Sequence, residues 1–518
     1  MLKNTNRFYF IILFFTALTY ANGRDPHSPN TADTSVIASI GNCEITAKEF
    51  RESYEFGPSF VKKFKDPKMA HLQYMINEKL IALEGYTNGI DNTNSVKRIL
   101  KEIEDDIIVT EWYRQKIVPV ISVDSSLIKR GIDQSSVGLT FRYIFTDNEF
   151  DIKDIKILLD NGHSFDSLYS LLNQDFKFYL DEVPTNFFTL FEDNPKVADE
   201  LAHLKPGAYS DIINTKDGFY LVQLDQAKKD FIITPAEYLT MWRKVEKYYS
   251  KKMLDSITTS YIKEVMEECP PTISGKALKK IFELLSKVNY THFTDTKEEI
   301  EKVRFNPELI LDESFDSEIL VNSKCDKFTI KDFVEWYSYR DFKIDFSNPT
   351  APTLKFVKDV LFKMVRDKRL IGIARSQGYA DDPDVQIEVQ EWRDKLAYWK
   401  QKSIAIKHPA FTDYDVQRFY TENKIKYEVN LKDTPITYEI IKDKVKNDLM
   451  QYEYNKQLHN YLNSLEEKYP IKINEKLLNS IQLSDENLSK KADLFILKKG
   501  GTLPRQAFPT IDNEWRYY

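Results

Sequence analysis

Histidine, cysteine and glycine supply most recognisable catalytic and ligand sites, and this chain uses them sparingly. Its seven histidines, His27, His71, His163, His203, His292, His408 and His459, lack the spacing that would bring several onto one metal ion, so no zinc site is expected. Fifteen glycines in 518 residues provide no phosphate-cradling loop and no Gly-x-Ser-x-Gly elbow, and Gly500-Gly501 reads as a turn. Carboxylates are so numerous, 80 in all, that no pair stands out as an acid and base. The chemistry in excess is aromatic contact, with 30 tyrosines and 33 phenylalanines. Such side chains give large contact area at low entropy cost, which suits the holding of extended, aromatic-rich segments. Others are spaced to fill helix interfaces, as Tyr249, Met253, Ile257, Tyr261 and Val265 are at fourfold intervals. No cofactor and no nucleotide are expected.

The elements that position these residues begin after a leader. "MLKNTNRFYFIILFFTALTYANGRDP" sets Lys3 and Arg7 ahead of an apolar run from Phe8 to Phe15, then small residues to Gly23, the pattern of a secretory signal peptide over 1–23. The run is shorter than the ~20 residues of a spanning helix. No later stretch is long and apolar enough to span, so a periplasmic protein, soluble after signal-peptide removal, is expected. Cleavage there takes the net charge from −7 to −9, and an acidic chain excludes a polyanion such as nucleic acid as partner. Three cysteines, Cys43, Cys269 and Cys325, are too few for a disulfide framework; a single bridge is left open and not counted on.

The remaining residues repeat themselves. "MINEKLIALEGYTNGIDNTNSV" (75–96) lies without a gap over "MVRDKRLIGIARSQGYADDPDV" (364–385): an apolar helix, a Gly, an acidic turn, then a second helix. The second helices carry Ile99, Ile103 and Ile107 in one copy and Val385, Val389, Trp392, Leu396 and Trp399 in the other, which is amphipathic helical spacing. A second match places 245–281 over 445–481, pairing Tyr261 with Tyr461, Pro270 with Pro470, Ile273 with Ile473, Leu278 with Leu478 and Ile281 with Ile481. The offset falls from 289 at Met75 and Met364 to 200 at Tyr261 and Tyr461, so the first copy contains 89 additional residues. They begin near Phe141, in "LTFRYIFTDNEF", and end near Lys229.

The inserted stretch reads as a strand over Thr140 to Phe145, a helix with Ile152, Ile155, Leu158 and Leu159 stopped at Gly162, and a short helix from Phe165 to Leu172. An aromatic loop and a helix to Leu204 follow, then a Pro206-Gly207 turn, a strand near Ile212-Ile213, a Lys216-Asp217-Gly218 hairpin and a strand from Phe219 to Leu224. This is a small mixed module of domain size.

"FRYIF", "LLDNGHSFDSL" and above all "LKPGAYSDIINTKDGFYLVQL" (204–224) resemble the parvulin-type peptidyl-prolyl isomerase domain. The flanking helices then look like the chaperone core of SurA-type and PrsA-type foldases, in which N- and C-terminal helical regions clasp each other around inserted parvulin domains. The resemblance implies an α+β protein of two mainly helical units. The first would be 37–140 plus 230–281 with a parvulin-like module inserted over 141–229; a linker over 282–314, a second unit over 315–481 without an insert, and a tail over 482–518 complete it. The tail "RQAFPTIDNEWRYY" reads as an arm, a strand or a docking peptide.

The same resemblance locates a site. Parvulin catalysis uses two histidines with a neighbouring Cys, Asp or Ser to hold a prolyl amide twisted, and the matching positions here are Tyr143 and Tyr220. The expected Gly-Gly-x-Leu-Gly segment is replaced by "KFYLDEVPTNFF" (177–188), while Thr215 and Ser210 remain. Without imidazoles the pocket that tunes the prolyl bond is degenerate. Tyrosines could still donate a hydrogen bond, and isomerisation needs only a lowered rotational barrier of ~20 kcal/mol. The expectation is a binding surface of Tyr143, Tyr220, Phe187, Phe188 and Phe191. The implied function is an ATP-independent chaperone for unfolded envelope or outer-membrane proteins. Two alternatives stay open: an active prolyl isomerase, and a structural subunit of an outer-membrane assembly or secretion machine.

Overall fold

The computed structural model describes 34–172, 178–229, 234–287, 317–340, 346–348, 351–352, 354–407, 409–428, 438–483, 491–492, 495, 503 and 505–518. The signal peptide expected over 1–23 lies outside these residues, and the expected linker is described only to Lys287, where it is helix.

In chain order, β1 (Val36–Ile40) and β2 (Cys43–Thr46) precede α1 (Ala47–Phe56), α2 (Pro67–Thr87) and α3 (Asn94–Lys116). Next come α4 (Ser125–Ser135), β3 (Val137–Thr146), α5 (Glu149–Asp160), α6 (Phe165–Leu172), β4 (Tyr179–Asn186), α7 (Phe187–Asp193) and α8 (Pro195–His203). They lead to β5 (Ile213–Asn214), β6 (Phe219–Lys229), α9 (Pro235–Glu268), β7 (Thr272–Ile273) and α10 (Gly275–Lys287). The second part holds β8 (Ile319–Asn322), β9 (Lys327–Thr329), α11 (Ile330–Ser338), β10 (Phe346–Asn348), β11 (Ala351–Pro352), α12 (Leu354–Ser376) and α13 (Pro383–Ala405). It closes with α14 (Asp413–Glu422), α15 (Lys424–Glu428), α16 (Tyr438–Lys468), β12 (Ile471–Ile473) and α17 (Glu475–Ser480). Helices with small antiparallel sheets make this an α+β fold. The chain divides into two compact units, one of 113–270 and one of the residues on either side.

The flanking unit contains the second copy of the repeat and the two ends of the first, and the copies begin alike. Thr46 caps α1 by accepting from the Glu49 N–H, and Thr329 caps α11 in a reciprocal box with Asp332. Thr46, Lys48, Phe50 and Tyr54 recur as Thr329, Lys331, Phe333 and Tyr337, a match the sequence reading did not draw. Gly89 and Gly378 end α2 and α12 at φ +69° and +85°, left-handed turns that need no Cβ.

The sequence reading has each copy closing on itself; the strand pairings run between copies instead. β12, from the second copy, adds to β1 with Ile473 opposite Ala38 and Ile471 opposite Ile40. β7, from the first, adds to β8 with Ile273 opposite Val321. The helices cross over in the same sense. α2 packs along α13, with Lys395 to Glu78 at 2.7 Å and Lys79 to Asp394, while Lys79 also binds Glu49 on α1 of its own copy at 2.9 Å. From α3, Asp105 binds Arg375 at 2.7 Å and Glu102 binds Arg340 at 2.7 Å. The physical reason is that Ile273 and Ile473 offer equivalent strands, so either copy's edge can accept either one. The resulting core joins Ile37, Ile40, Phe50, Leu72, Ile76 and Leu80 to Tyr398, Leu458, Leu462 and Leu478.

The 113–270 unit is a four-stranded antiparallel sheet, order β4-β3-β6-β5, with α4 and α9. Alternate residues of β3 serve opposite faces. Leu139 and Phe141 join Val197, Leu201, Val222 and Leu224 on the face of α7 and α8, while Ile144 joins Ile152, Leu159, Phe165 and Leu221 on the face of α5 and α6. Where an aromatic loop is expected, β4 runs the whole length of β3, from Gly138 opposite Asn186 to Phe145 opposite Tyr179. Pro184 hides that strand in the sequence, but β4 is an edge, where a missing N–H costs no ladder bond.

Cys269 and Cys325 are disulfide-bonded and Cys43 is free, so the one bridge not counted on from the sequence is present. Among the described residues no helix is long and apolar enough to cross a membrane, and no cluster of His, Cys, Asp or Glu could hold a metal ion.

Candidate functional site

Tyr143 lies opposite Val222 and Tyr220 opposite Phe145, so the two tyrosines are diagonal neighbours on one face of the β3–β6 pair. Their rings meet edge to face, centroids 5.7 Å apart at 61°. Phe145 packs at 4.6 Å from Tyr220, Phe141 at 6.4 Å from Tyr143, and Tyr179 at 6.0 Å from Phe145, extending the pair into an aromatic row. Both tyrosines are half-buried against the cluster that α7 and α8 cover.

Burial raises the Tyr143 hydroxyl above its ordinary pKa, with Asp181 on β4 adding to the effect; burial and Asp217 do the same to Tyr220. Both phenols therefore stay protonated at neutral pH and can donate a hydrogen bond, but neither can serve as an imidazole-like proton shuttle.

Ser210 and Thr215 are committed to the backbone. Ser210 is buried, its Oγ accepting the Val222 N–H at 3.1 Å while its own N–H donates to the Val222 carbonyl at 2.8 Å. Thr215 closes the turn into β6: its N–H and Oγ1 donate to the Gly218 carbonyl at 2.8 and 2.9 Å, and its Oγ1 accepts the Asp217 N–H at 3.3 Å. Gly218 has φ +145°, and a Cβ there would lie 2.7 Å from the Phe145 ring and from the Thr146 carbonyl.

The three phenylalanines separate. Phe187 and Phe191 pack against the same cluster as the tyrosines. Phe188 is fully buried between α4 and α9, beside Ile128, Ile132 and Val245, with Tyr248 edge-on at 5.4 Å. It therefore belongs to the packing and not to the accessible surface. Successive helical residues point about 100° apart, which sends neighbours in sequence to different cores.

Arg142, which the sequence reading did not single out, organises the opposite face. It donates to Asp225 at 2.7 Å, Asp166 at 2.6 Å and Gln223 at 2.7 Å, and lies over the rings of Phe165 and Tyr169. Its position next to Tyr143 in a strand is the signal that it must face away.

The site thus defines a small antiparallel α+β module bearing a phenol pair in an aromatic row, with helical elements on either side of it in the chain. No family profile matches this chain, and no curated protein matches it. Among solved structures it is similar to the peptidylprolyl isomerase PrsA of Bacillus anthracis, 17% identical over 37% of this chain and 96% of the other, TM-score 0.20. It is also similar to a Campylobacter jejuni structure described as that of SurA-like chaperones, among them the virulence factor PEB4, 16% identical over 45% and 98%, TM-score 0.21. PrsA of Bacillus cereus is 13% identical over 48% and 98%, TM-score 0.22.

Proposed function

We propose that the mature chain is an ATP-independent chaperone of an oxidising compartment outside the cytoplasm, holding unfolded envelope or outer-membrane proteins, and that its 141–229 module binds clients without isomerising prolyl bonds. The observation that carries this reading is the Tyr143–Tyr220 pair, set in a row of exposed and half-buried aromatic rings, with phenols at both positions where the resemblance expects imidazoles. Ser210 and Thr215 are bonded to the backbone and so are not free to polarise a prolyl amide, while the row offers stacking surface to an extended segment. The bonded Cys269 and Cys325 fit an oxidising compartment.

A second reading, a slow prolyl isomerase, has one point in its favour: both phenols remain donors. The test measures both activities. The mature protein should suppress aggregation of a diluted, unfolded outer-membrane barrel protein at stoichiometric concentration without ATP, and accelerate prolyl isomerisation little beyond background. Robust turnover abolished by Tyr143→Phe would replace the first reading with the second. Absence of both activities would leave a scaffold in an assembly or secretion machine.

A further inference from the structure

The segment 505–518 lies outside both copies of the repeat, yet side chains on α2 and α13 hold it by converging polar contacts. The Asp512 carboxylate accepts from Lys395 at 2.9 Å, the Tyr398 hydroxyl at 2.8 Å and the Trp399 indole at 3.0 Å, with Lys402 at 3.8 Å. Burial alone would raise that carboxyl, and Lys395 with the surrounding donors holds it below the ordinary range. Glu78 reads the other register: its Oε1 accepts the Asp512 N–H at 2.9 Å and the Trp515 indole at 2.8 Å. Trp515 stacks on Tyr74 at 5.3 Å, and Phe508 on Phe56 at 4.8 Å.

Part of the floor under the segment is paired without it, whereas Lys402 finds its acids, Glu514 at 2.8 Å and Asp512 at 3.8 Å, in the segment itself, and Arg505 of the segment binds Asp106 at 2.7 Å. Lys395 already binds Glu78 at 2.7 Å and Lys79 binds Glu49 and Asp394, so withdrawing the segment leaves no lone buried charge at these pairs. It would uncover Tyr74, Tyr398 and Trp399 beside three donors aimed at one acidic position. A groove of about 730 Å³ runs beside the seated segment, lined by Trp399, Lys402, Ile406, Met450 and Tyr454 on α13 and its neighbours and by Asp512, Asn513, Glu514 and Tyr517 on the segment's side. Apolar surface from Trp399, Ile406, Met450 and Tyr454 among polar groups gives an extended peptide both contact area and hydrogen-bond partners.

We infer that the α2–α13 face is a receptor for extended peptides that present an acidic residue three positions ahead of an aromatic one, and that 505–518 occupies it in cis as a strap competing with such peptides. The inference names a ligand class for a site apart from the tyrosine pair, and its readout is peptide exchange, so it can fail or stand independently of the chaperone reading.

A protease site placed within 496–502 of the full chain allows the strap to be cut, which removes its high effective concentration. A fluorescein-labelled peptide of residues 503–518, followed by anisotropy, should be excluded by the uncut chain and taken up to one equivalent by the cut chain. Asp512→Asn or Trp515→Ala in the peptide should weaken uptake at least tenfold. Equal uptake of a scrambled peptide, no uptake by a cut chain that keeps its helical circular dichroism, or loss of that signal on cutting would each overturn the inference. In the uncut chain, Asp512→Asn should raise hydrogen exchange over 505–518 and leave α2 and α13 protected. Exchange rising throughout would make the segment part of the core and overturn the inference as well.

Discussion

His71 shows what a scattered histidine does when it is neither ligand nor catalyst. It is buried between Phe50 and Tyr54, ring centroids 5.6 and 5.2 Å away, and its Nε2 is 2.9 Å from the Ser53 hydroxyl. Burial, with Lys62 and Lys395 adding to it, lowers its pKa to about 3. A folded pKa below the unfolded value of about 6.5 means that the unfolded chain binds more protons between the two. Stability is therefore fully present above pH 6.5 and is lost as pH falls toward 3, by about 1.4 kcal/mol for each unit of pH in that window. His71→Gln should flatten that part of the stability curve, measured by urea melts at pH 7, 6 and 5. The difference in slope from wild type is the readout, since contributions from buried carboxylates are common to both chains; parallel curves would show that His71 is not the titrating group. The same scale shows why some site residues are legible. Strand alternation puts Tyr143 and Tyr220 on one face and Arg142 on the other, whereas the parting of Phe187 and Phe188 depends on which cores flank the helix, which spacing does not reveal.

At the scale of elements, the helix pair flanking the module is closely packed. Gly131 in α4 faces α9 so nearly that a Cβ would lie 2.5 Å from Val245 Cγ1 and 3.2 Å from the Phe188 ring. Val245 is fully buried and β-branched, so it cannot turn aside. Gly131→Ala should cost about 1–3 kcal/mol by overpacking, and adding Val245→Ala should recover part of that loss, giving a favourable coupling in a double-mutant cycle. Additive losses in thermal melts would place the strain elsewhere. The repeat copy supports the geometry: Val445, equivalent to Val245 at the offset of 200, is also fully buried, there beside Val416, Tyr427 and Leu449. That equivalence is legible because apolar spacing along a helix fixes which residue faces inward. β4 was not legible, because its charged residues and Pro184 look like a loop until its place at the sheet edge is known.

At the scale of the whole molecule, the copies are legible and their exchange is not. A repeat shows that β7 and β12 are equivalent strands, but equivalence is what makes their partners ambiguous: Ile273 and Ile473 each suit the edge of β1 and that of β8. The side chains that settle the matter lie between α2 and α13, where Lys79 and Lys395 meet acids of opposite copies. Breaking one partner of such a pair costs about 3–5 kcal/mol, because the other is left buried and uncompensated. This predicts that the copies fold on each other. A fragment of 315–518 made alone lacks β7 for its β8 edge, and a fragment of 24–288 lacks β12 for its β1 edge. The first should show no cooperative melt by itself, and in the second β1 and α2 should exchange hydrogen freely even while 113–270 stays protected. Mixing the two should restore protection over β1, α2 and α13 in a one-to-one complex, and Lys395→Met should weaken that complex more than an exposed substitution such as Lys472→Met. A cooperative melt from 315–518 alone, unchanged by the other fragment, would mean that each copy can close on itself and that the exchange is not what holds the helical core together.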